Sequence, residues 1–154
     1  MTLPCKRLEG QVAIVTGAAQ GLGEALARRL DYEGCKVVVA DINLEKAEKV
    51  TSELSDAIAV KVDVTNEEQV ENMVKAAVDK YGKLDLMVSN AGILIAKPIL
   101  EFTREEWQRV IDINLVGYFL CAKAAARVMI PRKKGNIIQI NSKSGKKGSY
   151  KNSA

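Results

Sequence analysis

The stretch "INSKSG", residues 140–145, places a Ser between small and polar residues just after an apolar run. The motif has the look of a catalytic one, and Ser142 is its candidate. Far upstream, "TGAAQGLG", Thr16 to Gly23, sets three glycines at Gly17, Gly21 and Gly23. The order is G-x-x-x-G-x-G, not G-x-G-x-x-G, but the physics is shared. Glycines allow a tight turn and close approach of backbone to a pyrophosphate, and the following helix offers its N-terminus to the anion. Asp41 stands 18 residues past Gly23, where a carboxylate can hold ribose hydroxyls. That carboxylate repels a 2′-phosphate, and Glu24, not a basic residue, follows the glycines. Both features favour NAD over NADP. Asp63 can hydrogen-bond an adenine edge and Val64 can pack on its face. In "NAG", Asn90, Ala91 and Gly92 let backbone approach a ligand.

These residues all fall at the ends of predicted strands. "VAIVT" (12–16), "KVVVAD" (36–41), "AIAVKVDV" (57–64), "LDLMVSN" (84–90) and "NIIQIN" (136–141) are short apolar runs suited to strands buried on both faces. Between them, helical spacing and caps predict helices over 21–33, 44–55, 67–81 and 103–130. Gly34 and Gly82 close the first and third, Thr65 or Asn66 opens the third, Thr103 opens the long fourth, and Pro131 stops it. Strands alternating with helices give an α/β fold, a doubly wound parallel sheet of Rossmann type spanning residues 1–154. Ligands in such sheets bind beyond the carboxyl ends of the strands, where the candidates lie.

Composition narrows the chemistry. Hydrophobic residues make up 47% of the chain, enough for a core, and there is no run long enough to span a membrane. The chain has no His, so imidazole chemistry is excluded, and its three cysteines are too scattered for a metal site or a disulfide framework. No signal-like segment opens the sequence, and a cytoplasmic location is expected. The net charge of +4 equals the four lysines of the last twelve residues, Lys143, Lys146, Lys147 and Lys151. The rest of the chain is neutral and lacks aromatic-basic interleaving, so nucleic acid is not an expected partner.

The sequence resembles the short-chain dehydrogenase/reductase family. The resemblance rests on "TGAAQGLG", Asp41, "DV" at 63–64, "NAG" at 90–92, Asn114 in "INLVGYF" and "INSKSG", and runs from residue 10 to the end. It implies a cofactor site formed by Thr16, Gly17, Gln20, Gly21, Leu22, Gly23, Asp41, Asp63, Val64, Asn90, Ala91 and Gly92. It also implies that Asn114 orders a water in a proton relay and that Ser142 binds the reacting oxygen of a secondary alcohol or ketone. Within the family, residues 114–122 and 137–149 are most similar to the sorbitol-6-phosphate 2-dehydrogenase subfamily. That likeness implies a polyol phosphate substrate, attracted by Lys143, Lys146 or Lys147.

The family's base is a Tyr in Y-x-x-x-K, whose pKa, about 10 when free, is lowered by the Lys. Tyr150 has Ala154 at that spacing, and the family's Tyr is expected at position 155, past the last residue. The expectation is therefore an N-terminal part of such a dehydrogenase, ending after its fifth strand and inactive alone. The fifth strand, without its usual neighbour, is expected to be a bare edge prone to aggregation, and the resemblance implies that the apolar helix 103–130 packs on its twin in a homo-oligomer of the longer enzyme. Two alternatives stand beside this reading: a non-catalytic dinucleotide-binding module, and a 3-oxoacyl or other ketone reductase of the same family.

Overall fold

The computed structural model describes residues 6–142. Lys143, Lys146, Lys147 and Tyr150 lie outside them. The strands are β1 (Val12–Thr16), β2 (Lys36–Asp41), β3 (Ala57–Lys61), β4 (Leu86–Ser89) and β5 (Asn136–Gln139). They pair in parallel in the order β3-β2-β1-β4-β5. The helices are α1 (Gly21–Tyr32), α2 (Leu44–Thr51), α3 (Glu67–Tyr81), α4 (Arg104–Ile111) and α5 (Gly117–Met129).

The period-two alternation of a strand sorts the core into two layers. Val12, Ile14, Val38, Ala40 and Met87 point to one face, where α3 and α5 cover them with Val70, Met73, Leu120 and Ala124. Ala13, Val15, Val37, Val39 and Val88 point to the other, against Ala27 of α1 and Ala47 and Val50 of α2. All five residues of β1 are buried, as the uninterrupted apolar run requires.

Caps set the helix boundaries. Asn43 accepts from Lys46 N at the start of α2, and Asn66, not Thr65, accepts from Gln69 N at the start of α3. Gly82 ends α3 at φ +78°, a left-handed position that glycine takes without a Cβ clash. Thr103 and Glu106 form a reciprocal capping box at the start of α4.

Several expected elements are shorter. Helix 44–55 ends at Thr51, because Glu53 and Leu54 close onto Val50 and Thr51 in tight turns. Strand 57–64 ends at Lys61, where β2 ends beside it. The long helix 103–130 is one rod with a π turn at Asp112–Val116. There Gly117 N bonds Asp112 O, five residues back, and the Asn114 side chain bonds the backbone of Ile93 outside the helix. Gly117 also lets α5 close on the sheet: a Cβ there would lie 2.8 Å from Val64 Cγ2.

Candidate functional site

The strand order reverses between β1 and β4, and a cleft opens beyond their carboxyl ends. It has a volume of about 500 Å³ and is lined by the glycine turn, Asp41, Asp63 and the Asn90–Gly92 segment.

The turn after β1 is shaped by its glycines. Gly17 (φ +63°) and Gly21 (φ +58°) adopt left-handed backbone. Gly23 is required by contact: an added Cβ would lie 2.1 Å from Gly17 O and 2.5 Å from Asn90 Nδ2. Nothing lies within 4 Å of a Cβ built on Gly21, so that side of the turn is open. Gln20 caps α1 with no side-chain hydrogen bond, unlike Asn43, Asn66 and Thr103 on the helices they open. The amides of the first turn thus face the cleft without a side-chain acceptor, which is the arrangement an anion needs.

The β4 end is locked to this turn. Asn90 Nδ2 donates to the carbonyls of Thr16 (3.0 Å) and Gly17 (3.2 Å). Thr16 Oγ1 accepts from the N–H groups of Asn90 and Ala91, both at 3.1 Å. Thr16 is therefore buried inside the junction and does not line the cleft, a correction to its place among the cofactor candidates. Asn90 reaches the cleft, but its amide is committed to the turn.

The carboxylate of Asp41 accepts from Ala19 N and Asn43 N, both at 3.0 Å. It couples the glycine turn to the start of α2 and still borders the cleft. Asp63 accepts from Thr65 N and Thr65 Oγ1, and Val64 is buried beside it. Lys46 Nζ donates to Gln20 Oε1 at 3.3 Å, a cation near Asp41 that sequence adjacency does not show. Ile42, Ile93, Arg109 and Ile113 also line the cleft and were not foreseen. The signal for two of them was available: Ile42 follows Asp41, and Ile113 precedes Asn114.

Ser142 and Asn114 come together in a smaller cavity of about 190 Å³, shared with Ser89, Tyr118, Gln139 and the Asn90–Gly92 segment. Asn114 Oδ1 accepts from Ile93 N and its Nδ2 donates to Ile93 O, both at 2.9 Å. Its side chain is thus tied to Ile93 at both ends of the amide, and its carbonyl accepts from Gln139 Nε2 at 3.4 Å. Ser142 N donates to Asn141 Oδ1. Ser89 Oγ is buried at the wall of this cavity, beside the Cys121 thiol. Cys121, behind the sheet, is no nucleophile: burial pushes its thiol up to about 11. Tyr32 and Lys36 have the Y-x-x-x-K spacing, yet they flank the amino ends of the strands, in a different cavity with Cys35. Among the described residues no cluster of His, Cys, Asp or Glu could hold a metal.

The profile of the short chain dehydrogenase family matches residues 11–154. A borneol dehydrogenase, mitochondrial, from Lavandula x intermedia is 50% identical over 135 residues, covering 86% of this chain and 52% of that protein. A 3-oxoacyl-[acyl-carrier-protein] reductase from Synechocystis sp. is 42% identical over 146 residues, covering 92% and 59%. The crystal structure of a short-chain type dehydrogenase/reductase from Mycobacterium marinum superposes with a TM-score of 0.90 at 34% identity, over 94% of this chain and 61% of that one. The chain thus spans little more than half the length of these relatives. It belongs to the short chain dehydrogenase family, an oxidoreductase family that uses a nicotinamide dinucleotide.

Proposed function

We propose that this chain supplies the cofactor cleft and part of the catalytic site of an NAD-dependent oxidoreductase that interconverts a secondary alcohol and a ketone. One observation carries the reading: the uncapped start of α1, its glycine turn, Asp41 and Asp63 converge on one cleft of about 500 Å³. Nicotinamide dinucleotide, when bound, supplies the hydride acceptor or donor. The residues fit that group. The amides of residues 21–23 and the open side of Gly21 suit the pyrophosphate, and the carboxylate of Asp41 accepts from ribose hydroxyls. Asp63 and Val64 serve the adenine, and Asn90, Ala91 and Gly92 border the nicotinamide half.

In the adjoining cavity Ser142 donates to the oxygen that is alcohol in one direction and carbonyl in the other. Asn114 holds the loop at Ile93 through its side chain, and its carbonyl is the group that can order a water. The proton of the alcohol goes to a Tyr of the family's Y-x-x-x-K pattern, a pattern that no residue pair after Ser142 supplies.

The substrate is a small hydroxyl- or keto-bearing molecule. The names of the two relatives, a borneol dehydrogenase and a 3-oxoacyl-[acyl-carrier-protein] reductase, support an alcohol or ketone substrate. A polyol phosphate such as sorbitol 6-phosphate rests on the likeness of residues 114–122 and 137–149 to one subfamily and on Lys143, Lys146 and Lys147, which lie outside the described residues. The retained Asn114 and Ser142 favour a catalytic role over a pure dinucleotide-binding module. The test is titration of the purified chain with NADH and NADPH, followed by nicotinamide fluorescence. Saturable binding, tighter for NADH, is expected; absence of binding by both overturns the reading.

A further inference from the structure

The cofactor cleft does not end at Asp63. It adjoins an outer cleft of about 610 Å³ along α4, with which it shares a frame of lining residues. Four residues line both spaces: Ile42, Asp63, Arg109 and Ile113. Their chemistry is that of a slot for a flat, polar-edged ring. Ile42 is 64% exposed, an apolar side chain with little protein on it. Ile113 packs on the core from the other side of the frame. Asp63 offers a hydrogen-bond acceptor.

Arg109 is the element that demands an explanation. It lies one helical turn before Ile113, so both sit on the cleft-facing stripe of the α4 rod. Val110, its neighbour, is buried and fixes the rotation of that stripe. The Arg109 guanidinium makes no hydrogen bond or ion pair with any described residue. Two acids close by in the sequence have other partners. Asp112 accepts from Gln108 Nε2 at 2.7 Å, and Glu106 is held by Lys97 and the capping box. Glu105, one turn earlier, lines only the outer cleft. A planar cation left unpaired between an apolar wall and an acceptor is suited to stack on a purine or to donate to its ring nitrogens.

We infer that Arg109 is a cofactor-binding residue that closes over the adenine base in the frame of Ile42, Asp63 and Ile113. The inference rests on the dinucleotide reading of the cleft and adds to it a contact from α4, on the side opposite the glycine turn. Arg109 thereby links the helix carrying Asn114 to the far end of the cofactor.

The test uses the whole chain, NADH, and ADP-ribose as a probe that has the adenine half and lacks nicotinamide. Arg109→Ala is expected to weaken both ligands by a similar factor, about five- to tenfold, the range of a partly desolvated cation–π contact. Arg104→Ala is the control: Arg104 lines only the outer cleft, and its loss is expected to leave both affinities within about twofold, as no such contact is removed. Arg109 is exposed on a helix, so thermal melting should be unchanged by either substitution. NADH binding by Arg109→Ala within twofold of the unaltered chain overturns the inference alone. Equal weakening by Arg104→Ala also overturns it, because general attraction of the phosphates would then account for the effect. If the unaltered chain binds neither ligand, the dinucleotide reading fails and the inference fails with it.

Discussion

At the residue scale, Asp41 and Gly23 make opposite kinds of statement about the cleft. Asp41 acts by charge. Its carboxylate is held by Ala19 N and Asn43 N, and on the proposed reading it stands where a 2′-phosphate would have to sit and would discriminate by repulsion. Lys46 stands nearby on Gln20 and would favour that phosphate once the carboxylate is gone. Asp41→Ala is therefore expected to shift the ratio of NADPH to NADH affinity by at least about tenfold toward NADPH, a change of about 1.4 kcal/mol. Direct titration with both cofactors measures it, and an unchanged ratio removes Asp41 as the discriminator. Gly23 acts by shape. A methyl group there meets the Gly17 carbonyl and the Asn90 amide, neither of which can move without opening the β1–β4 junction. Gly23→Ala is expected to cost about 2 kcal/mol of stability by overpacking and to abolish measurable NADH binding. A melting curve separates the two effects. NADH binding retained by a Gly23→Ala chain would show that the turn tolerates a side chain.

At the element scale, the opposite end of the sheet is held by a residue no motif announced. Asp85, just before β4, is 2% exposed and accepts from Val12 N (3.0 Å), Lys83 (2.8 Å) and Arg132 (2.8 Å). It joins the starts of β1 and β4 to the loop before β5. Burial raises its pKa, but the hydrogen bonds from Lys83, Arg132 and Val12 outweigh burial and hold it at about 2. Because the folded value is depressed, this stabilisation is full above the unfolded carboxyl range and is lost as pH falls from about 4 to about 2. Its size is about 2 kcal/mol. Asp85→Asn is expected to lower stability by about that amount at neutral pH and to flatten the acid-denaturation curve in that window. An acid midpoint equal to the unaltered chain's would sink the assignment. Asp85 also shows what the sequence withholds. Strand-end residues such as Asp41, Asp63 and Asn90 were legible because parallel-sheet physics puts ligand contacts there, next to apolar runs anyone can read. Asp85 meets Val12 and Arg132 across 73 and 47 positions, Thr16 meets Asn90 and Ala91 across 74 and 75, and Arg109 shares its cleft with Ile42 and Asp63, so no local pattern encodes them. The π turn at Asp112–Val116 was hidden for a related reason. Its periodicity reads as uninterrupted helix, and only the bond between Asn114 and Ile93 marks where the rod departs from it.

At the scale of the whole molecule, the apolar surface is distributed unevenly. Both faces of the central strands are covered by helices, whereas among the described residues β5 pairs only with β4 and presents an open edge. Ile137 and Ile138 are exposed there, Ile138 by 46%. On the α4–α5 rod, Trp107, Leu115 and Phe119 are also exposed, Phe119 by 56%. A parallel sheet normally buries both faces and covers its edges, because unpaired N–H and C=O groups beside apolar side chains recruit another chain. The charged surface offers little protection, since basic and acidic residues outside the last twelve positions are balanced. The 154-residue chain is therefore expected to self-associate as its concentration rises. Sedimentation velocity over a range of concentrations measures this. Ile138→Lys places a charge on the edge without touching the cleft, and it should move the distribution toward monomer and leave NADH affinity unchanged. Phe119→Glu tests the helical rod in the same way. If the edge substitution alone restores the monomer, β5 is the associating element. If only Phe119→Glu does, the rod is. A chain that is monomeric at all concentrations would mean that neither exposed surface is sticky enough to matter.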